Sequence, residues 1–351
     1  RNRRKQEERI KAVENGRRTQ MDERSKRAQM ERKRRIRRKK QRRRVLISAL
    51  VEVLILAVLA LAFCWDRGLS AKVSGVLGIF DRPPVTELDV SGVNSSNVLL
   101  MDVKSGKVIG NLNGEERIYP ASMTKIMTAI VALEAFSDLD HEITLSENIF
   151  YALDGQDATQ AGFQPGESVR VRDLVYGVML PSGAECCLAL ADEASGSEEA
   201  FVEKMNKKAK SIGMKDTHFM DCTGLHDPEH YSTAYDIALL LKYALHNDTF
   251  REVAESHFHS TPATNVHPDG ITYYSTMFKN MSDTSVTGGE ILGGKTGYTS
   301  EAGHCLASFA QIYDREYILV TAGAAADATG VPHILDAKTI YNRLGEAVAQ
   351  K

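Results

Sequence analysis

Residues 119–134 read YPASMTKIMTAIVALE, and this stretch decides how the rest of the chain is interpreted. After Ser122 the apolar residues recur at the spacing of a helix with a buried face, namely Ile126, Met127, Ile130, Val131 and Leu133. Lys125 follows Ser122 by three positions, so both side chains lie on one face near the helix N-terminus, where negative charge is favoured. The stretch predicts a hydroxyl nucleophile beside an amine base. A solvated lysine next to a capping serine would give the same pattern.

The elements on either side of this helix predict an α+β domain. Strand-forming runs come first, helical patterns occupy the middle, and strands followed by a last helix end the chain. The predicted elements are strands at 98–101 and 108–109, helices at 171–180, 184–193, 199–212 and 237–245, strands at 291–296, 305–312 and 317–322, and a helix at 332–349. Thr233 is the predicted N-cap of the fourth helix, with Asp236 three residues later. The first and last strands are therefore expected to meet in one sheet.

Two further short motifs carry polar groups suited to catalysis. Lys295-Thr296-Gly297 lies in GGKTGYTSEAG, where glycines allow a strand backbone to approach another object closely. This segment lacks the spaced glycines of a phosphate-binding P-loop. Ser182-Gly183 lies in LPSGAE directly before a predicted helix, where a helix cap is the simple interpretation. Each motif is weak alone, and their joint presence is the informative observation.

Five ordered segments resemble the D-alanyl-D-alanine carboxypeptidases, the serine penicillin-binding proteins of low molecular weight. The resemblance runs from about residue 97 to residue 324. The segments are YPASMTKIMTAIVALE, MLPSGAECCLALA, FVEKMNKKAKSIGMKDTHF, HYSTAYDIALL and GGKTGYTSEAGHCLA. The resemblance implies a penicillin-binding or serine β-lactamase-like fold, in which helices flank an antiparallel sheet and the acyl-transfer site lies between them.

The resemblance also implies catalytic roles for three residues. Ser122 would attack the carbonyl of the penultimate D-Ala in a peptidoglycan stem pentapeptide, with Lys125 as its base. Ser182 would relay a proton to the departing D-Ala. Water would then hydrolyse the acyl-enzyme, and β-lactam antibiotics would acylate the same serine. No cofactor and no metal is expected.

The third motif would bind the substrate. By the resemblance, Lys295 holds the terminal carboxylate and Thr296 donates a hydrogen bond to it, while Gly297 belongs to the same strand. Lys295 would also be the cation that lowers the pKa of Lys125. The backbone N–H groups of Ser122 and Tyr298 would form the oxyanion hole.

One position departs from the family pattern and leaves alternatives open. The family usually has Asn two residues after the serine that corresponds to Ser182. This chain has Ala184 there, which cannot orient a substrate carbonyl. Glu185 follows, but one residue later on a helix it points about 100° away. Either activity depends on Ser182 alone, or the protein is a weakened enzyme or an idle cell-wall binding protein. Transpeptidation and β-lactamase activity on the same fold are further alternatives.

A zinc peptidase is an alternative from a different chemical class. His226 and His230 are four residues apart in HDPEH, which is a possible ligand spacing. Pro228 between them would break the helix that places such histidines on one face. The segment is therefore expected to be a surface loop.

The N-terminal part predicts a membrane anchor. The run from Val45 to Trp65 has 19 apolar residues among 21, enough to cross a bilayer as a helix. Residues 1–44 hold 22 Lys and Arg against six Asp and Glu, a charge of +16, and the rest of the chain carries −18. Basic residues flank the cytoplasmic side of membrane spans, so the catalytic part is expected outside the cell membrane.

These observations divide the chain into four expected segments: a basic cytoplasmic tail at 1–44, a transmembrane helix at 45–65, a stalk at 66–94 and the catalytic domain at 95–351. An uncleaved anchor is preferred to a cleaved signal peptide, because the basic leader is long. The tail has no aromatic residues for base stacking, so no specific nucleic-acid partner is expected. Its charge fits attraction to anionic lipid instead.

Overall fold

The computed structural model describes residues 85–350. Strands from both ends of this range meet in one six-stranded antiparallel sheet. The strand order is β2-β1-β10-β9-β8-β7. The strands of this sheet are β1 (Asn97–Asp102), β2 (Val108–Leu112), β7 (Ser285–Val286), β8 (Gly289–Thr299), β9 (Gly303–Ile312) and β10 (Arg315–Ala324). Two small two-stranded antiparallel sheets lie apart from it, β3 (Glu142–Thr144) with β4 (Ser168–Arg170), and β5 (Phe258–Ser260) with β6 (Thr272–Tyr274). The expected antiparallel sheet is confirmed.

Helices cover both faces of the sheet. They are α1 (Lys125–Ala135), α2 (Glu147–Leu153), α3 (Val171–Met179), α4 (Ala184–Ser195), α5 (Glu198–Ser211), α6 (Ala234–Ala244), α7 (Asp248–Ala254), α8 (Thr276–Lys279) and α9 (Pro332–Ala349). Thr233 caps α6 as expected, its side chain accepting from the backbone N–H of Asp236 at 3.0 Å. All the helices predicted from periodicity are present, whereas the short α2, α7 and α8 were not predicted.

Alternation along β10 fills two separate cores. Ile318 and Val320 point into the core shared with most of the helices. Tyr317 and Leu319 point to the opposite face, where they pack with residues of α9. This period of two is what the pleat of a strand dictates. The C-terminal helix therefore covers one face and the helical lobe the other.

Helix α1 lies at the centre of the helical lobe. Every residue from Lys125 to Leu133 is buried, because α1 packs against α3, α4, α5 and α6. A helix that is apolar on all sides is stable only inside a core. The surrounding helices therefore fix α1 firmly, and with it the position of Lys125.

The folded domain begins earlier than the sequence suggested. Val85 and Val90 fall in the segment expected to be a stalk, but both are buried beneath the sheet. The backbone N–H of Leu88 also donates to the carbonyl of Ile109 on β2. The expected start at residue 95 is thus about ten residues late, since this segment has no periodicity to reveal its packing.

The predicted span from Val45 to Trp65 lies outside the described residues, as do the basic tail and residues 66–84. Within residues 85–350, no helix has the length and apolar character needed to cross a membrane.

Candidate active site

The Ser-x-x-Lys motif forms a hydroxyl–amine pair, as the sequence predicted. Ser122 lies in a 3₁₀ turn, Ala121–Thr124, that continues directly into α1. Lys125 is the first residue of α1, and its Nζ donates to Ser122 Oγ at 3.0 Å. The same amine donates to the backbone carbonyl of Thr223 at 2.5 Å. These two contacts hold the amine against the hydroxyl without a carboxylate partner.

The other two motifs form a second pair of the same kind. Ser182 lies between α3 and α4 with a φ of 70°, a left-handed conformation that is uncommon for serine. Lys295 on β8 donates from Nζ to Ser182 Oγ at 3.0 Å and to the backbone carbonyl of Thr296 at 2.8 Å. The sheet and the helical lobe each contribute one member of this pair.

The two lysine amines compete for charge. Lys295 is fully buried, and both this burial and the nearby Lys125 ammonium lower the pKa of Lys295 well below its usual range. Two ammonium groups in a buried site repel each other, and no described acidic side chain forms an ion pair with either. The pair therefore favours a state in which one amine is neutral and able to act as a base.

Two glycines allow the backbone to close around the nucleophile. A Cβ on Gly297 would lie 3.1 Å from the backbone nitrogen of Ser122 and 3.2 Å from the Cβ of Ala121. On the other side, a Cβ on Gly224 would collide with the carbonyl of Ala121, and Gly224 has a φ of +82°. The third-motif strand and the loop at 221–225 therefore both contact the turn that carries Ser122.

A cavity of about 270 Å³ opens over these groups. Five of the seven residues predicted from the sequence line it, namely Ser122, Ser182, Thr296, Gly297 and Tyr298. The two lysines lie buried behind the serine hydroxyls that they contact. A larger cleft of about 760 Å³ between residues 86–91 and β2 contains no lysine, histidine or cysteine. The smaller cavity is therefore the candidate active site.

Sequence reasoning missed seven residues that also line the cavity: Asp157, Thr159, Thr276, Asn280, His304, Gly330 and His333. Most come from loops or helix ends without periodicity. Thr276 could have been suspected only through its contact with the third motif, where its hydroxyl lies 2.6 Å from that of Thr296. Fold topology, rather than a local pattern, brings these side chains to the site.

A pair formed by the buried His230 and the partly buried Asp221 supports the loop behind Lys125. The Nδ1 of His230 lies 3.0 Å from Asp221 Oδ2, and its Nε2 lies 2.9 Å from the hydroxyl of Thr124. Asp221 Oδ1 also accepts from the backbone N–H groups of Thr223 and Gly224. Burial alone would raise the pKa of Asp221, but the hydrogen bonds and charge of His230 and the loop donors lower it to about 2.

The contacts of His230 also bear on the hypothesis that His226 and His230 are zinc ligands. Both ring nitrogens of His230 contact protein groups, and His226 instead packs edge-on against Tyr119 with ring centroids 4.7 Å apart. Within residues 85–350, no three His, Cys, Asp or Glu side chains are grouped as metal ligands. The two histidines do not converge on a common point.

The departure at Ala184 is visible in the structure. Ala184 begins α4, is buried, and presents only a methyl group. Its backbone N–H donates to the carbonyl of Thr159 at 2.8 Å. Glu185 turns away, and its Oε1 accepts from the backbone N–H groups of Ala161 and Gly162 at 2.6 and 2.9 Å. Burial raises the pKa of Glu185.

Three neighbouring rings form another part of the cavity wall, and only the two histidine rings are stacked. The ring of His304 lies 4.6 Å from that of Tyr298 and 5.1 Å from that of His333, centroid to centroid. His333 is the second residue of α9, and its Nδ1 is buried without a hydrogen-bond partner. Burial and the adjacent His304 lower the pKa of His333 to about 4. The His333 ring is therefore uncharged at neutral pH.

Comparison with known proteins agrees with this geometry. A family model described as D-alanyl-D-alanine carboxypeptidase matches residues 85–326. The carboxypeptidase DacF of Bacillus subtilis is 34% identical over 246 residues, which cover 66% of this chain and 58% of the relative. DacC of Escherichia coli is 34% identical over 254 residues, covering 68% and 59%. The chain thus spans about three-fifths of the length of these curated relatives.

A solved structure extends the likeness to the whole of a smaller protein. The crystal structure of a Streptomyces DD-transpeptidase superposes with a TM-score of 0.67 at 29% identity, covering 75% of this chain and 100% of that chain. The penicillin-binding serine hydrolase fold expected from the motifs is therefore confirmed. Because the family match covers well over half of the sequence, this chain belongs to the D-alanyl-D-alanine carboxypeptidase family.

Proposed function

We propose that this protein is a serine D-Ala-D-Ala carboxypeptidase, which removes the terminal D-Ala of peptidoglycan stem pentapeptides through an acyl-enzyme. The contact between Lys125 Nζ and Ser122 Oγ at 3.0 Å is the observation that carries the proposal. A neutral amine at that distance can remove the hydroxyl proton as the oxygen attacks the substrate carbonyl. β-Lactams would acylate the same oxygen.

The sheet side of the cavity suits the charged end of the substrate. Thr296 lines the cavity, and Lys295 lies directly behind Ser182 Oγ, so a terminal carboxylate bound beside Ser182 and Thr296 would lie near the Lys295 amine and favour its protonated form. Lys125, which contacts Ser122 Oγ, would take up the hydroxyl proton. This distribution supplies a base for Ser122 and a cation for the substrate at the same time.

The remaining steps follow from the surrounding groups. As the tetrahedral intermediate forms, the backbone N–H groups of Ser122 and Tyr298 would stabilise its oxyanion. Ser182, which contacts Lys295, would pass a proton to the leaving amine of D-Ala as the C–N bond breaks. Water then attacks the ester carbon, its proton returns to Ser122 Oγ, and the tetrapeptide leaves.

Covalent labelling tests this function directly. A fluorescent penicillin should label the full-length protein, and D-Ala should be released from a D-Ala-D-Ala peptide. Ser122→Ala should abolish both, whereas Ser282→Ala, an exposed serine outside the cavity, should change neither. Absence of labelling and of D-Ala release with the unaltered protein would reject the proposal and favour an idle wall-binding protein.

Transpeptidation is a second candidate, supported by the likeness to the Streptomyces DD-transpeptidase. An acceptor amine would replace water in the second step. Adding glycine or a D-amino acid to the peptide assay distinguishes the two reactions, because a transpeptidase forms the exchanged peptide at the expense of hydrolysis. A constant hydrolysis rate with no exchange product would leave carboxypeptidation alone.

We also propose that the run from Val45 to Trp65 anchors the protein, with residues 1–44 in the cytoplasm and the catalytic part outside the cell membrane. The apolar length and the basic flank support this orientation. Protease added to intact spheroplasts should digest the catalytic part and spare the tail. Protection of the catalytic part would reverse the assigned orientation.

A further inference from the structure

The loop of residues 154–163, which follows α2, forms a wall of the cavity. Asp157 and Thr159 from this loop line the same space as Ser122 and Ser182. The loop has no secondary structure of its own, so its position depends on specific contacts with its neighbours. Those contacts come from the first turn of α4.

Two adjacent residues of α4 fasten the loop. The backbone N–H of Ala184 donates to the carbonyl of Thr159 at 2.8 Å. Glu185 then accepts from the backbone N–H groups of Ala161 and Gly162, at 2.6 and 2.9 Å. Since Glu185 is fully buried, losing its acceptor would leave two backbone donors without a partner in the interior. The helix that follows Ser182 therefore fixes where Thr159 lies.

Thr159 presents an available hydroxyl at this wall. Its side chain is exposed, and the hydroxyl makes no hydrogen bond with any residue between 85 and 350. The neighbouring Ala184 offers only a methyl group. A peptide that enters the cavity loses water from its own N–H and C=O groups, and each needs a new partner. A hydroxyl can donate or accept, whereas the carboxylate of Asp157 can only accept.

We propose that Thr159 is a substrate-binding residue whose hydroxyl hydrogen-bonds a peptide group of the bound D-Ala-D-Ala peptide, and that Glu185 is the positioning residue that holds it there. The inference rests on the proposed function and adds the helical-lobe wall to the substrate contacts. It also explains how a site with alanine at position 184 can still orient a peptide.

Removal of the hydroxyl tests the contact. Thr159→Val keeps the side-chain shape and should lower kcat/KM for a diacetyl-lysyl-D-Ala-D-Ala peptide roughly three- to tenfold. Thr159→Ser should restore most of the loss, and Gln160→Ala, the next exposed residue outside the cavity, should leave kcat/KM unchanged. Equal kcat/KM for Thr159→Val and the unaltered protein would overturn the proposal, as would a failure of Thr159→Ser to restore activity.

The role of Glu185 is tested by coupling. Glu185→Gln retains an oxygen acceptor and should keep kcat/KM within about twofold, while Glu185→Leu should speed hydrogen exchange at the amides of Ala161 and Gly162. In the Glu185→Leu background, Thr159→Val should cost little more, because the hydroxyl is already misplaced. Additive losses would reject the positioning role. If Glu185→Leu does not fold, Glu185→Asp takes its place, because its shorter side chain also withdraws the acceptor. Hydrogen exchange at the amides of Ala161 and Gly162 that is no faster than in the unaltered protein would then reject the positioning role.

Failure of this inference differs from failure of the proposed function. The proposed function fails if the unaltered protein neither binds penicillin nor releases D-Ala. The inference fails if the unaltered protein does both and the Thr159→Val variant matches it.

Discussion

Gly297 on β8 faces the turn that carries Ser122, and a methyl group on its α-carbon would lie 3.1 Å from the Ser122 backbone nitrogen. Contacts of 3.0–3.4 Å are tighter than most real Cβ contacts, so the two backbones are about as close as they can be. Because Ser122 belongs to the lobe and Gly297 to the sheet, their approach determines how donors from the two sides converge on one substrate oxygen.

We therefore expect Gly297→Ala to impair acylation more than folding. Moving β8 by a few tenths of an ångström misplaces the proposed oxyanion donors, and the loss of one such donor costs roughly 100- to 1,000-fold in other hydrolases. A partial displacement should lower the second-order rate of penicillin labelling by about 10- to 100-fold. Time courses of penicillin labelling, quenched at intervals, measure this rate.

Two other variants provide a control and a more severe case for comparison. Ser300→Ala, at an exposed position just after β8, should label at the normal rate. Gly224→Ala should be worse than Gly297→Ala, because it combines a collision with Ala121 and a φ of +82° that suits glycine. Normal labelling by Gly297→Ala would show that the strand can retreat without harming the site.

The lowered pKa of Lys295 predicts the direction of a pH effect. A lysine is charged below its pKa, so a depressed value means that the free site loses this positive charge at a lower pH than an ordinary lysine would. Affinity for a substrate carboxylate should then weaken as pH rises through that depressed pKa. The pH profile of kcat/KM for a D-Ala-D-Ala peptide measures the effect.

A substrate without the carboxylate is the control for that profile. The same peptide with a C-terminal amide carries no charge for Lys295 to bind, so its kcat/KM should be low and should lack the alkaline decline that comes from Lys295. Parallel declines for both peptides would place the titrating group on the nucleophile side of the site instead.

Restoring the residue usual in the family tests the departure at position 184. Ala184→Asn should accelerate penicillin acylation if the natural site is attenuated, because an amide can orient a substrate carbonyl. The position is buried, so Ala184→Gln, which is larger still, shows whether added volume alone is harmful. Slower acylation by Ala184→Asn, with unaltered thermal stability, would mean that the site is adapted to alanine.

The helices and strands could largely be predicted because each long element buries a regular face. Helix α9, for example, was predicted at its observed bounds. The pair of Ser122 and Lys125 was also predictable, since helical spacing alone brings side chains three residues apart together.

Other parts of the site depend on contacts between distant segments. Thr159 is positioned by α4 through the bond from the Ala184 N–H to its carbonyl and through the bond from the nearby Ala161 N–H to Glu185. His333 reaches the cavity only because α9 packs on the sheet. The burial of Val85 and Val90 was missed for the same reason, because an irregular segment has no period to read. Tertiary packing, rather than local propensity, sets these positions.

His333 predicts how acid affects stability. Its pKa is about 4 in the folded protein, because burial and the adjacent His304 disfavour the charged ring, and Asp327 and Asp336 only partly offset this. An unfolded histidine has a pKa near 6.5, so between these values the unfolded chain binds more protons. The contribution of the neutral ring to stability is complete above about pH 6.5 and is lost as pH falls toward 4. At pH 4.5 the loss should be about 2 kcal/mol.

Replacing the ring should remove that part of the acid sensitivity. The difference in unfolding free energy between pH 7 and pH 4.5 should be smaller by about 2 kcal/mol in His333→Gln than in the unaltered protein, as followed by circular dichroism in urea. His246→Gln, at an exposed position on the helical lobe, should leave the difference unchanged. An equal pH dependence in all three proteins would show that His333 is hydrated or paired in the folded state, because only an unpartnered buried ring resists protonation so strongly.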